Sequence, residues 1–513
     1  MCVSLAPNTN GRSSKTNGHW HSRPMAFSRP CGLSSPLGGG AILMRKPLAL
    51  LIAATGAACL TGCARFEARP LSAVETAAKF EDRSLADLGL HVYLEKQLGH
   101  PLPAWPLNKW DYPTLTLVAF YFSPDLQVAL AQANVADAAG KTAAGRPNPT
   151  VSVQPGYDFN PAAGANPWIP LGTLDVPIET AGKRGYRMAT ASHLSQAARL
   201  RVLGVAWQVR SALGAGLLEY ASTRQRAELL GKQLALQERV LQLLQERFEA
   251  GAVARSELTP MRLTMARTSS DLADAARQAA GARVRVAESL GLPARAIENV
   301  DLDFPLDVNA AAGKELTSVE ARQQALLGRS DILASLADYA ASQAALQLEI
   351  AKQYPDLHLG NIYQFDQGEH KWNIGLTFDL PILNRNQGPI EEAKAKREEA
   401  AARFLALQSS VISMIDLALA TRTASLDQLT RQEQLTRLAR ESLTSSQALF
   451  DAGALDNLDL SNAQVEASAA QLSYLEAQVR ARQAVAQLEE AIQRPLLGWP
   501  DFMGGQARAQ HQP

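Results

Sequence analysis

The sequence predicts a membrane protein of mixed α and β class that contains one structural unit twice: a helix, a pair of β-strands and a long antiparallel helical hairpin. Three observations carry that prediction. From Pro389 to Pro495 more than a hundred residues contain no other proline and only one glycine, Gly453. A proline inside a helix costs about 3 kcal/mol, so its absence over this length permits two long helices joined at one turn. Two pairs of segments alternate apolar and polar residues, the period of strands with one apolar face. Matching positions also recur at a nearly constant spacing. Phe248, Gly251, Glu257 and Leu258 stand 202 residues before Phe450, Gly453, Asp459 and Leu460; Leu174–Ile178 stands 204 before Phe378–Ile382; Asp125 and Pro149 stand 206 before Asp331 and Pro355.

The first 62 residues carry six basic residues and no acidic one. From Met44 the chain reads as a basic start, a short apolar run and Leu60-Thr61-Gly62-Cys63, a secretory signal peptide too short and wrongly flanked for a membrane span. Its end resembles the lipobox of bacterial lipoproteins, which implies cleavage before Cys63 and covalent lipid on that cysteine, with Met44 as the expected start of translation. Of the four cysteines only Cys63 then remains, so an internal disulfide and a cysteine metal site are both excluded. The chain has 50 basic and 50 acidic residues; without residues 1–62 the balance is 44 against 50, a net charge of −6 that argues against a nucleic-acid partner.

Residues 63–114 read as a lipid-anchored, irregular arm containing Pro101, Pro103, Trp105, Pro106 and Trp110. The first unit spans 115–293. Ser123-Pro124-Asp125 opens a helix that runs to about Gly145, with serine as cap and proline in the first turn. In the strand pair 150–178, Val151, Val153, Tyr157 and Phe159 alternate with Ser152, Gln154, Gly156 and Asp158, and Trp168, Leu174, Val176 and Ile178 follow across a loop. A helix then climbs from about Lys183 to Phe248, turns at Gly251 and returns to Leu290, where Gly291-Leu292-Pro293 stops it.

Residues 294–316 read as a linker with short extended pieces such as Val300-Asp301-Leu302-Asp303-Phe304, and Thr317-Ser318-Val319-Glu320 is a capping box that opens the second unit, 317–495. Its strand pair, 356–382, sets Leu357, Leu359, Tyr363 and Phe365, then Trp372, Ile374, Leu376, Phe378 and Leu380, against polar neighbours. Its hairpin turns near Gly453. The first arm would be roughly 90 Å long, with an apolar stripe through Phe404, Val411, Ile415, Leu419, Leu426 and Leu429. The returning arm is expected to bury Val465, Ala469, Leu472, Leu475 and Val479, with the stripe resuming at Ala486. Residues 496–513 form a C-terminal tail.

Strands of this kind, with aromatics towards the loop ends, match the outer-membrane β-barrel pattern. Four strands cannot close, and open edges are not tolerated in lipid, so the barrel must be shared between chains. Two copies would give eight strands and three would give twelve. Together, the signal peptide, the doubled unit, the run from Asp379 to Ile390 and the two glycine turns resemble the TolC-type outer-membrane efflux protein family over roughly Leu115 to Pro495. That resemblance implies a homotrimer in which a twelve-stranded outer-membrane barrel continues into a periplasmic helical barrel. It also implies docking to a periplasmic adaptor protein and an inner-membrane pump, so that the chain is a passive exit duct in the outer membrane and not an enzyme.

A duct needs no catalytic constellation, and the sequence holds no His-Glu-x-x-His, Gly-x-Ser-x-Gly or phosphate-loop pattern. His91, His100, His193, His358, His370 and His511 are scattered without ligand spacing. The candidate residues lie at the hairpin turns. In a symmetric assembly a carboxylate at a narrow pore end becomes a ring of charge. The resemblance places a constricting aspartate at Asp459, and Asn462 stands where the family has a second acid. Asp456 and Glu257, the latter the counterpart of Asp459 in the first unit, complete the gate candidates; all three acids also suit the starts of helices. Gly251 and Gly453 suit tight turns, and the resemblance implies that these turns contact the adaptor. A duct for secreted proteins and a non-conducting envelope spacer share these features. The transporter encoded alongside would separate the first from small-molecule efflux, and bilayer conductance the second.

Overall fold

The computed structural model describes residues 66–307 and 317–496. Met44, Cys63, the linker from 308 to 316 and the tail beyond 496 lie outside them. The chain divides into two compact units, of which one includes residues up to Lys79 and the other runs from Phe80 to Phe502.

The segment expected to be irregular contains helices α1 (Ala73–Glu81) and α2 (Leu88–Leu98), a short strand β1 (Lys109–Asp111) and the start of α3 (Tyr112–Phe122). The signals are local. The Asp87 carboxylate accepts the Leu90 amide at 2.7 Å, Gly99 ends α2 at φ 75°, and Leu90 and Leu94, one turn apart, are fully buried. Asp111 caps α3 by accepting the Thr114 amide at 2.9 Å. β1 pairs in parallel with β4 (Asp301–Asp303), Trp110 opposite Leu302, within the extended piece expected at Val300–Phe304 of the linker. Of these, α2, β1 and α3 share one core with the long helices: Leu90, Leu94, Trp110, Leu115, Leu213 and Leu290.

The remaining elements follow one order twice. After α3 come α4 (Pro124–Ala143), β2 (Thr150–Gln154), β3 (Leu171–Ile178), α5 (Lys183–Glu249) and α6 (Arg255–Leu290). After α7 (Ser318–Gly328) come α8 (Ser330–Ala351), β5 (Leu357–Asp366), β6 (Glu369–Phe378), α9 (Gln387–Asp451) and α10 (Asn457–Ile492). Ser123 caps α4 through the Leu126 amide at 3.2 Å. Thr317 and Glu320 form the reciprocal capping box of α7, at 3.2 and 3.0 Å.

α5 has 67 residues and α9 has 65, about 100 Å each at 1.5 Å per residue. Each packs against its shorter partner of 36 residues, α6 or α10. On α9, Val411 and Ile415 are buried as expected. On α10 the stripe differs from the expected one. Leu475 is buried as expected, but Ala469 and Ala486 are exposed, and the buried positions also include Ala467, Ser468, Ala477, Ala481, Ala484, Val485 and Leu488. Alanine and serine supply many of these positions, interspersed with Leu475, Val485 and Leu488, because α10 is covered by both α9 and α5 and small side chains let helices approach closely. The seam between α5 and α10 also buries an ion pair, Arg210 with Glu489 at 3.2 Å, the side chains 5% and 9% exposed.

β2, β3, β5 and β6 form one antiparallel sheet in that order. β2 is shorter than expected, because Pro155 has no amide to donate. Beyond it the hairpin resumes, with Ile169 donating to the Gly156 carbonyl at 2.9 Å and Asp158 to that of Pro167 at 2.7 Å. The register sorts side chains by polarity. Val151, Val153, Leu174, Val176, Leu359, Tyr363, Trp372, Ile374 and Leu376 share one face; Thr150, Ser152, Gln154, Thr173, Asp175, His358, Gln364 and Asn373 share the other. On the apolar face Val153 is 75% and Ile374 74% exposed. Among the described residues nothing pairs with the outer edges of β2 and β6.

Where the sheet meets the helices, charged groups fasten α5 to the start of β5. The Lys183 ammonium, on the first residue of α5, donates to the Tyr354 carbonyl at 2.7 Å and to Asp356 at 2.8 Å. Thr180 donates its amide to Asp356 at 2.9 Å and its hydroxyl to the Pro355 carbonyl at 2.6 Å.

Candidate functional site

The candidate site is the pair of hairpin turns, far along the helices from the sheet. Both turns close in the same way. The α5 helix ends with Gly251 donating to Phe248 at 2.9 Å and Ala252 to Arg247 at 2.8 Å; α9 ends with Gly453 donating to Phe450 at 2.9 Å and Ala454 to Leu449 at 2.8 Å. This double closure needs a left-handed residue just past the helix, and the glycines supply it at φ 72° and 73°. A Cβ at either glycine would meet nothing within 4 Å, so the requirement is one of backbone conformation and not of space.

The helices that leave the turns start differently. Asp456 caps α10, its Oδ1 accepting the amides of Leu458 at 2.8 Å and Asp459 at 3.0 Å. α6 has Ala254 at the corresponding place and no side-chain cap there; instead Glu257 reaches back to accept the Ala254 amide at 3.3 Å. The other oxygen of Asp456 accepts from the Arg247 guanidinium, so an ion pair joins the two turns. The Asp459 amide first, with the Arg247 guanidinium and the Leu458 amide adding to it, holds the Asp456 carboxyl below the usual carboxylate range.

Asp459 and Asn462 are exposed on one side of α10, whereas Leu460 and Ser461 between them are buried. The Asp459 carboxylate has no partner among the described residues. The structure thus separates the four gate candidates into two kinds: Asp456 and Glu257 are engaged in ending turns, and Asp459 with Asn462 projects outward. It also adds Arg247, which sequence reasoning missed. A signal was present in the repeat. Arg247 corresponds to Leu449 and Asp456 to Ala254, so each charged residue stands where the other unit is apolar. Two charges unmatched by the repeat are each other's partners. Among the described residues no three His, Cys, Asp or Glu side chains are grouped as metal ligands.

Comparison with known proteins finds a family match over part of the chain, a relative and shared folds. Residues 321–493 match the family model described as outer membrane efflux protein. A relative, the cobalt-zinc-cadmium resistance protein CzcC of Cupriavidus metallidurans, is 25% identical over 327 residues, 63% of this chain and 76% of that protein. The fold is shared with the outer-membrane channel OprN, at TM-score 0.62 and 18% identity over 81% of this chain and 98% of that one. It is shared too with the outer membrane protein VceC of Vibrio cholerae, at TM-score 0.60 and 18% identity over 75% and 96%.

Proposed function

We propose, from the match of residues 321–493 to the model of the outer membrane efflux protein family, that this chain is a member of that family and not an enzyme, and that it is the outer-membrane exit duct of an efflux system. The observation that carries this reading is the sheet. It has one exposed apolar face and one polar face, and its four strands end in two unpaired edges, a combination stable in lipid only when several copies close it into a barrel around a polar lumen. Three copies give twelve strands, with the long helices continuing the duct on the periplasmic side. The doubled element order is then an internal repeat, six near-equivalent hairpins surrounding one axis.

Cargo passes through by diffusion, handed over by an inner-membrane pump and a periplasmic adaptor that meets the Gly251 and Gly453 turns. Asp459 lines the narrow mouth in triplicate, with Asn462 beside it. The similarity to a cobalt-zinc-cadmium resistance protein makes divalent metal ions the first cargo to test. Cys63 carries covalent lipid as a second anchor; one acyl chain alone binds membranes only marginally, and the barrel supplies the rest.

Purified full-length protein tests the reading directly. A trimer by native mass and stepwise currents in a planar bilayer are expected. A monomer, or a trimer without conductance, would overturn it. Mass spectrometry of the N-terminus is expected to find Cys63 acylated in the wild type and the lipid absent in Cys63→Ser; cleavage elsewhere or an unmodified Cys63 would refute the anchor.

A further inference from the structure

Resting on that reading of a shared barrel, we propose that β6 of one copy pairs antiparallel with β2 of the next in the register of the internal β3–β5 seam, so that Asp379 lies opposite Gln154 of the partner subunit. The inference comes from superposing the two hairpins. Leu357 pairs with Phe378, and Val151 pairs with Leu174. These pairs differ by 206 on one strand and 204 on the other, the same spacings that relate Pro355 to Pro149 and Ile382 to Ile178. The two hairpins are therefore equivalent residue for residue. The internal seam runs from Leu171 opposite Gln364 to Ile178 opposite Leu357. Carried forward by one hairpin, it runs from Gly375 opposite the partner's Asp158 to Ile382 opposite the partner's Val151.

A second observation shows that the partner strand is missing from the single chain. β3 continues through Pro177 to Ile178, beyond its last partner on β2, because β5 holds its other side. The equivalent run Asp379-Leu380-Pro381-Ile382 has nearly the same residues, yet β6 stops at Phe378, and Leu380 and Ile382 are 66% and 70% exposed. Like sequences with unlike structure differ here in one respect: the side on which β3 meets β5 is, for β6, an open edge. A strand of another copy restores that side and extends β6 by four residues.

The fastening beside the seam is not repeated. Lys183, Thr180 and Asp356 correspond to Gln387, Asn384 and Thr150, all uncharged. The register between copies therefore depends on strand pairing, and a covalent probe reads it. Phe365 donates to the Pro170 carbonyl at 3.1 Å, which by alternation makes Asp175 and Gly360 a close, non-hydrogen-bonded pair. Its equivalent is Asp379 with the partner's Gln154, about 4.5 Å between Cα atoms and within disulfide reach.

The full-length double variant Asp379→Cys/Gln154→Cys, oxidised in isolated outer membranes, is expected to give disulfide-linked dimers and trimers that a reductant dissolves. Each single variant should give none, which controls for Cys63. Pairs shifted along the strand, Asp379→Cys with Ser152→Cys or with Val153→Cys, should link at least about tenfold more slowly, their separations being near or beyond the disulfide limit. Faster linking of a shifted pair in intact trimers would overturn the register. Trimers in which no pair links would overturn the strand pairing itself, and a wild-type protein that forms no trimer would instead remove the function proposed above.

Discussion

Replacing Gly453 by alanine adds one methyl group in open space, so the perturbation is purely conformational. At φ 73° an L-residue with a side chain is disfavoured by roughly 1–2 kcal/mol, and no contact within 4 Å adds to or offsets that cost. The population of the opened turn should then rise about 5- to 30-fold. Hydrogen exchange reads this directly, because the amides of Gly453 and Ala454 are the two that close the turn, at 2.9 and 2.8 Å. Both should exchange faster by that factor in Gly453→Ala, while amides in the middle of α9 stay as they are. Asn tolerates the left-handed region, so Gly453→Asn should show a smaller effect. Gly453→Val should lose export while trimers still assemble, the barrel lying elsewhere. Unchanged exchange in Gly453→Ala, or equal effects of Ala and Asn, would refute the conformational explanation.

Asp459→Ala should fold normally, losing only a helix-dipole contact of about 0.3–1 kcal/mol, yet change single-channel conductance, cation selectivity and block by multivalent cations; identical currents would make Asp459 a helix-start residue facing away from the pore. Asp456 has its folded pKa lowered, so its contribution to the turn is fully present above the ordinary aspartate value of about 3.9 and disappears as pH falls through the lower folded value. Exchange at Leu458 and Asp459, corrected for intrinsic rates, should accelerate on acidification, and Asp456→Asn, which keeps the cap, should flatten that dependence. Glu489→Ala leaves Arg210 buried without its carboxylate and should destabilise the protein by about 3–5 kcal/mol in chemical denaturation; a loss below about 1 kcal/mol would show that the pair is hydrated.

The features most legible in the sequence are those set by local chemistry repeated over many residues. Missing prolines marked α5, α9 and α10 to within a few residues, the expected span from Lys183 to Phe248 being observed as Lys183–Glu249, whereas α6 carries Pro260 inside the helix. Alternation marked all four strands, and the glycines marked both turns. The capping box at Thr317 and Glu320 was equally plain. Short elements were harder. α2 has 11 residues and only two fully buried leucines on one face, too little periodicity to outweigh the prolines that follow it. Partners distant in sequence were legible only where the repeat left two opposite charges unmatched. Arg247 meets Asp456 across 209 residues, and α10 buries small residues because a third helix, α5, covers it. No single helix pattern records that crowding.

The seam between β3 and β5 has a consequence for biogenesis. Ile178 and Leu357 are neighbours in space and 179 residues apart along the chain, so β2–β3 and β5–β6 can each pair locally but the four-stranded sheet is joined only once both halves of the chain are present. Contacts of such separation form late, after helical hairpins whose partners are close in sequence. For that interval the two separate hairpins lack their neighbour across the seam. A chain truncated before Leu357 should build its first helical hairpin and pair β2 with β3, but leave the other edge of β3 open.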